Sequence, residues 1–120
     1  MGLSSYGENL ALVALLTGRY VSLHTAEPDN AGSDEVSGGS YARLSVSFSA
    51  SGGNPTVFAN TAALEFPQAT FTWDTVTHFG VWTALTAGSF IGSGALDDPR
   101  LIEMGDTARF EIGDLEVELD

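Results

Sequence analysis

The side chains that could carry chemistry are few and scattered along the chain. His24 and His78 are the only imidazoles, and the sequence contains no cysteine to act as a nucleophile or a zinc ligand. No H-E-x-x-H segment marks a zinc pair, and no G-x-S-x-G segment marks a nucleophilic serine. We therefore predict no catalytic residue, no cofactor and no metal, and a structural or surface role for both histidines.

One long loop, TAEPDNAGSDEVSGGS, carries several carboxylates that could suggest a metal site. Asp29, Asp34 and Glu35 lie there with Asn30, but their spacing does not match the calcium loop of an EF-hand. The overlapping segment EVSGGSYAR is rich in glycine, yet it lacks the lysine with which a P-loop reaches a phosphate. We expect a solvated loop, although a loop this long in a small protein is often a contact element.

The charge of the chain limits its partners. Four arginines, no lysine and 16 carboxylates give a formal net charge of −12 at pH 7. Proteins that bind nucleic-acid phosphates or anionic membranes need the opposite sign, so we expect neither contact. The apolar run Leu10–Leu16 is also shorter than the roughly 20 residues that cross a bilayer. The charge indicates either a soluble acidic surface or a surface that faces a basic partner.

The element that positions most of the aromatic side chains is the stretch Phe71–Ala84, FTWDTVTHFGVWTA, which holds both tryptophans. Bulky residues alternate along it, as in a strand with one face on the core. We predict a central strand whose other face meets solvent or a partner. Trp82 lies on the more polar side of this alternation, and interface hot spots favour tryptophan, so it is a candidate contact residue. The alternative is that the N-terminal helix covers this face.

That helix is predicted for residues 6–17. Ser5 and Glu8 fit a capping box, and Gly18 stands where a left-handed residue ends a helix. Apolar residues lie on almost every side of it, so it must be covered either by its own sheet or by a neighbouring subunit. Leu10 and Val13 are the candidate interface residues of the helix.

The rest of the chain carries period-two segments separated by turn signals. We predict strands at Tyr20–His24, Tyr41–Phe48, Thr56–Phe66, Ser89–Leu96, Arg100–Met104, 108–112 and 115–119, with turns at 51–55, Asp97-Asp98-Pro99 and Gly113-Asp114. The last turn allows a tight hairpin, which we slightly favour, or a bulge within one longer strand. Tyr41 and Arg43 lie on the polar face of their predicted strand and are further candidate contact residues.

The pattern predicts an all-β fold. About eight short strands with turns every 8–12 residues are typical of a two-sheet antiparallel sandwich, jelly-roll or immunoglobulin-like. We expect a single domain over residues 1–120, in which an N-terminal arm with the helix, 1–18, precedes a β-sandwich, 19–120.

Several segments, in order, resemble a family of small structural proteins of tailed-bacteriophage virions. They are YVSLHTAEPDNAG at 20–32, EVSGGSYAR at 35–43, FPQATFTWDTVTHFGVW at 66–82 and GDTARFEIGDLEVELD at 105–120. Members of that family are labelled as capsid cement (decoration) proteins or as tail-fibre proteins. The N-terminal helix has no counterpart in the resemblance, and Asp97-Asp98-Pro99 is more acidic than is usual there.

The resemblance implies a non-enzymatic virion protein, assembled in the cytoplasm of the bacterial host. As a cement protein it would lie on the outer capsid surface, bind the major capsid protein and form a homo-oligomer, a dimer or a trimer. The alternative is a tail-fibre or tail-associated module that meets the host surface, with glycans bound through Trp82, Tyr41 or Tyr20.

Overall fold

The computed structural model describes residues 4–52 and 56–119, and α1, Ser5–Leu16, is the one helix in this part of the chain. The predicted bounds are confirmed to within a residue. The N-cap is Ser4, whose Oγ accepts a hydrogen bond from the amide of Gly7 at 3.1 Å. The capping box predicted at Ser5 is therefore placed one residue too late. Gly18 has φ +68°, the left-handed conformation that ends a helix with little strain in glycine.

Nine strands follow in the described residues: β1 Arg19–His24, β2 Leu44–Val46, β3 Phe48–Gly52, β4 Thr56–Asn60, β5 Leu64–Glu65, β6 Asp74–Trp82, β7 Phe90–Ile102, β8 Arg109–Phe110 and β9 Glu116–Leu119. They form a four-stranded sheet in the order β2-β1-β6-β7, a three-stranded sheet β3-β4-β9 and a two-stranded ladder β5-β8. Every one of these pairings is antiparallel. The predicted all-β antiparallel sandwich with a short N-terminal helix is confirmed.

The predicted central strand is confirmed as β6, which lies between β1 and β7. The expectation that one of its faces stays open is wrong for its second half, where Phe79, Gly80, Val81 and Trp82 are all buried. Phe79 and Val81 face the core. Gly80 and Trp82 face the opposite way: Gly80 lies against Ser22, His24 and Phe90, and Trp82 is covered by Gly32 of the long loop and by Arg43.

The strand predicted at Tyr41–Phe48 is broken in two. β2 pairs with β1 in the four-stranded sheet, whereas β3 pairs with β4 in the three-stranded sheet. The chain changes sheet at Ser47, whose carbonyl accepts a hydrogen bond from the amide of Thr61 at 2.9 Å. The alternation of side chains continues through the break because both sheets bury their side chains in the same core, so the sequence gives no sign of it.

The turn predicted at Asp97-Asp98-Pro99 is wrong, because β7 runs through it. Val76 pairs with Arg100 and His78 pairs with Ala95, so the residues from Leu96 to Pro99 lie opposite Thr77 alone as a wide bulge. Pro99 is tolerated because β7 is an edge strand of its sheet and needs no ladder hydrogen bond on its outer side. Of the predicted turn at 51–55, residues 53–55 lie outside the described residues.

The C-terminal segment forms neither the hairpin nor the bulged strand predicted around Gly113-Asp114. β8 pairs with β5 and β9 pairs with β4, so the two strands belong to different sheets. The corner between them is fixed by buried Asn60, whose Oδ1 accepts from the amides of Gly113 and Leu115, each at 3.0 Å. Its Nδ2 donates to the carbonyls of Ala62 and Glu111 at 2.9 and 3.0 Å.

The core lies between the sheets, with α1 closing one side. Phe66, Phe79, Phe110 and Leu115 are fully buried there. α1 contributes Leu12 and Leu16, which are buried, and contacts β3 and β4. Only one face of the helix is therefore used inside the protein.

Candidate functional site

Arg43 is the centre of a polar cluster that covers Trp82 at the end of β6. Its Nε and Nη2 donate to the two carboxylate oxygens of Glu35, each at 2.9 Å. Its Nη1 donates to the carbonyls of Ala84 and Ala87 at 3.0 and 2.8 Å. The guanidinium lies 3.7 Å from the ring centroid of Trp82, and the side chain of Arg43 is 8 % exposed. This partly buried, bidentate ion pair therefore holds two loops against the sheet.

Tyr41 completes what we call the Arg43 cluster: Glu35, Tyr41, Arg43 and Trp82. Its hydroxyl donates to Glu35 Oε2 at 2.8 Å and accepts from the amide of Leu23 at 3.0 Å. Its ring meets Trp73 edge to face, with centroids 5.4 Å apart. Burial raises the pKa of Tyr41 far above its usual value, with the Glu35 carboxylate acting in the same direction. Tyr41 is therefore a permanent hydrogen-bond donor in this cluster rather than an acid.

A short relay of hydrogen bonds continues from the cluster across the sheet. Trp82 Nε1 donates to Ser22 Oγ at 2.7 Å, and Ser22 Oγ lies 2.6 Å from His24 Nε2. His24 Nδ1 lies 2.7 Å from the carbonyl of Ser33 in the long loop. Because a carbonyl accepts only, Nδ1 carries the proton, and the hydroxyl of Ser22 donates to Nε2. Both nitrogens of neutral His24 are thus satisfied, and burial lowers the pKa of this fully buried residue.

Two glycines make room for this arrangement. A Cβ on Gly80 would lie 2.6 Å from both Ser22 Oγ and His24 Nε2. A Cβ on Gly32 would lie 2.5 Å from the Trp82 ring, and Gly32 also has φ +74°. The long loop can therefore lie flat on the tryptophan only because glycine stands at this position.

A cleft of about 520 Å³ opens beside the Arg43 cluster, between the long loop and the β6–β7 connection. Its walls include Val36, Ala42 and Leu85. The charged side chains that line it, Glu35 and Arg43, bond to each other rather than facing the cleft as free groups. The two charged side chains at the cleft therefore hold loops in place.

Three of the five predicted contact residues, Tyr41, Arg43 and Trp82, are brought together in this cluster. The expectation that Trp82 projects from the surface is wrong: it is 8 % exposed. The alternative that the helix covers it is also wrong, because Arg43 and Gly32 of the long loop contact its ring. Whether any of the three contacts another protein stays a prediction.

The other two predicted residues, Leu10 and Val13, lie on the outer face of α1. They are 55 % and 47 % exposed, and Tyr6 on the same side of the helix is 75 % exposed. Leu12 and Leu16 of α1 line one cavity with Val81, whereas Arg43 lies over the next residue, Trp82. Since consecutive residues of a strand point to opposite faces, α1 and Arg43 lie on opposite sides of β6.

Sequence reasoning missed Glu35, Ser22 and Asn60 as structural residues and placed His24 without a partner. Ser22 and His24 are two residues apart and so lie on one face of β1, which pairs with β6. The sequence pattern could therefore have predicted that they share a face with Trp82. No local signal identifies Glu35 or Asn60, because their partners lie in other parts of the chain.

Across residues 4–52 and 56–119, no group of three or more His, Cys, Asp or Glu side chains is placed to hold a metal ion. In the same residues, no helix has the length and apolarity needed to cross a membrane.

Comparison with known proteins identifies the family. The protein-family model described as "Podophage GP4 fiber I protein gp80" matches residues 4–118, which is nearly the whole chain and includes the N-terminal helix. A comparison with curated proteins finds no match. The chain therefore belongs to the podophage GP4 fiber I protein gp80 family and is a structural protein of a bacteriophage virion.

Proposed function

We propose that this protein is a non-enzymatic subunit of a fibre on the outside of the virion, and that it works by binding other virion proteins. The observation that carries the proposal is the match to a fibre-protein family over residues 4–118. This match spans both the helix and the sandwich.

The geometry of the Arg43 cluster supports a building block rather than an enzyme. Arg43, Glu35 and Tyr41 form hydrogen bonds with one another, and Arg43 also donates to two loop carbonyls. A catalytic group needs a free lone pair or proton within reach of a substrate. The cluster instead fixes the conformation of the long loop and of the β6–β7 connection, which suits a protein that must present a constant surface to its neighbours.

The distribution of charge supports a position on the outside of the particle. The formal net charge of −12 opposes contact with packaged DNA. The outer face of α1 differs from this acidic background, because its exposed residues Tyr6, Leu10 and Val13 are uncharged and large. Exposed apolar rows of this kind are where protein–protein contacts form.

A second candidate function is an outer-capsid cement protein that binds the major capsid protein. The observation that favours it is the resemblance of segments 20–32, 35–43, 66–82 and 105–120 to a family whose members carry that label as well as the fibre label. A third role, glycan binding through Trp82, loses its main support because that ring is buried and its faces contact Arg43 and Gly32.

Cryo-electron microscopy of intact virions tests these alternatives. The proposal expects density for this fold in fibres that project from the particle. Density on the shell above the major capsid protein would replace it with the cement function, and absence from purified virions would end both. Turnover of polysaccharide or peptidoglycan by the purified protein would overturn the non-enzymatic part.

A further inference from the structure

Gly92 stands on the core face of β7, although neither its backbone nor its neighbours require a glycine there. It pairs with Val81 of β6, which faces the core. The register shifts at the next pair, but the φ of Gly92 lies outside the left-handed region in which a bulge calls for glycine. A Cβ on Gly92 would meet no atom within 4 Å, whereas a Cβ on Gly94 would lie 2.6 Å from the Phe79 ring. Gly94 is therefore needed for close packing, and Gly92 instead leaves a space.

That space belongs to a cavity of about 180 Å³ between α1 and strands β6, β7 and β9, which we call the α1 cavity. Most of its wall is apolar and consists of Leu12, Leu15, Leu16, Val81, Ile91 and Val117. Gly92 and Ser93 complete the lining, which has no charged side chain among the described residues. Leu12, Leu16 and Val81 are buried and form the floor, whereas Leu15 is 44 % exposed and lies at the rim. A small molecule can therefore enter without any opening of the fold.

The lining of the α1 cavity selects an apolar occupant. A water molecule needs about two to four polar partners, and these walls offer little beyond the hydroxyl of Ser93. An apolar cavity of about 150 Å³ in another protein stays dry and binds benzene or xenon. A glycine inside a strand often marks a place where a ligand approaches the backbone closely.

We propose that the α1 cavity binds a small apolar molecule about the size of benzene, held between the helix and the sandwich. The ligand supplies the van der Waals contacts that the walls lack beside Gly92. Because the cavity exists only while α1 lies on the strands, the ligand binds the folded state alone. At a concentration ten times its Kd it therefore lowers the equilibrium constant of unfolding about tenfold.

Titration of the full-length protein with benzene, followed by nuclear magnetic resonance of the leucine, isoleucine and valine methyl groups, tests the proposal. Saturable shifts are expected at Leu12, Val81 and Ile91. Pyrazine, a ring of the same size, should bind at least about tenfold more weakly, because its two nitrogens would lose their hydrogen bonds to water. Shifts that never saturate, equal binding of the two rings, or saturable shifts confined to Val36 and Leu85 of the cleft beside the Arg43 cluster would overturn it.

A matched pair of variants gives a second readout. Gly92→Val puts an isopropyl group into the α1 cavity and should weaken benzene binding at least about tenfold, because a close-packed interior leaves no room for both groups. Ala95→Val adds bulk at an exposed residue of the same strand and should bind benzene as the wild type does. Benzene should accordingly shift the urea midpoint of the wild type and of Ala95→Val but not that of Gly92→Val. Undiminished binding by Gly92→Val contradicts the proposal; if that variant does not fold, the comparison of benzene with pyrazine on the wild type decides.

Discussion

Mild acid should destabilise this protein through His24. In the folded state the neutral imidazole donates from Nδ1 to the Ser33 carbonyl and accepts at Nε2 from the Ser22 hydroxyl. That hydroxyl in turn accepts from Trp82 Nε1. A second proton on His24 would turn Nε2 into a donor, so the Ser22 hydroxyl would have to accept from both Nε2 and Trp82 Nε1, and its own proton would lose its partner in this buried relay.

The size of the effect follows from the pKa of His24, which is lowered from 6.5 chiefly by burial. Arg43 acts in the same direction, while the Ser33 carbonyl and the carboxylates of Glu35 and Asp34 oppose it without reversing it. His78, the cross-strand neighbour on β6, is the other titratable side chain beside it.

Below pH 6.5 the unfolded chain binds a proton that the folded chain does not. The free energy of unfolding is therefore unaffected by His24 above that pH. It falls by up to about 1.4 kcal/mol for each pH unit below it, until the lowered pKa of the folded state is reached.

Urea unfolding between about pH 8 and about pH 5 measures this slope. The wild-type protein and His78→Gln should both lose stability as the pH falls below 6.5. His24→Gln should be less stable at every pH, because its amide cannot restore the relay, but should lack this component of the slope. Parallel pH profiles for the wild type and His24→Gln, or a His24 pKa at or above 6.5 by nuclear magnetic resonance, would refute the reasoning.

Three further substitutions test the packing and hydrogen bonds described above by chemical denaturation. Gly80→Ala should lower the free energy of unfolding by about 1–3 kcal/mol because its Cβ would overlap Ser22 and His24. Gly92→Ala is the control and should be close to neutral, because no atom lies within 4 Å of its Cβ. Equal effects of the two substitutions would contradict the relay geometry. Asn60→Ala should lower the free energy of unfolding by at least about 2 kcal/mol, since this buried side chain makes four hydrogen bonds to backbone groups and one of them, to the amide of Leu115, is itself buried. Exposed Asn30→Ala should change it by less than about 0.5 kcal/mol. Arg43→Met should lower the free energy of unfolding by about 2–4 kcal/mol, because the partly buried Glu35 carboxylate loses its ion pair and keeps only the hydrogen bond from Tyr41. It should also increase amide exchange in both loops that the guanidinium holds; unchanged exchange would show that the loops are fixed by other contacts.

The elements that were predictable are those whose signal is local. The bounds of α1 follow from its apolar pattern and Gly18, and β6 follows from its alternation of aromatic and small residues. The sandwich architecture follows from the number and spacing of such segments. Each of these features depends on residues within a few positions of one another, so the chain can be read without knowing its partners.

The mistakes arise where the determining contact is distant in sequence. Ser47 is a sheet crossing because its carbonyl meets Thr61, and the corner at Gly113 exists because Asn60 binds it. Pro99 is allowed within β7 because that strand lies at an edge. A period-two pattern could predict none of these three features, because it indicates which face of a strand a residue lies on and not which strand or loop lies beside it.

The sequence by itself determined that the chain is acidic, β-rich and without cysteine, and that aromatic and apolar side chains are numerous enough for a sandwich core. The tertiary structure alone decided which of them are surface residues. It buried Trp82 beneath Arg43 and the long loop, and it left Tyr6, Leu10 and Val13 uncovered on α1. The physical reason is that burial depends on what the rest of the chain places over a side chain, and that covering comes from residues far away in sequence.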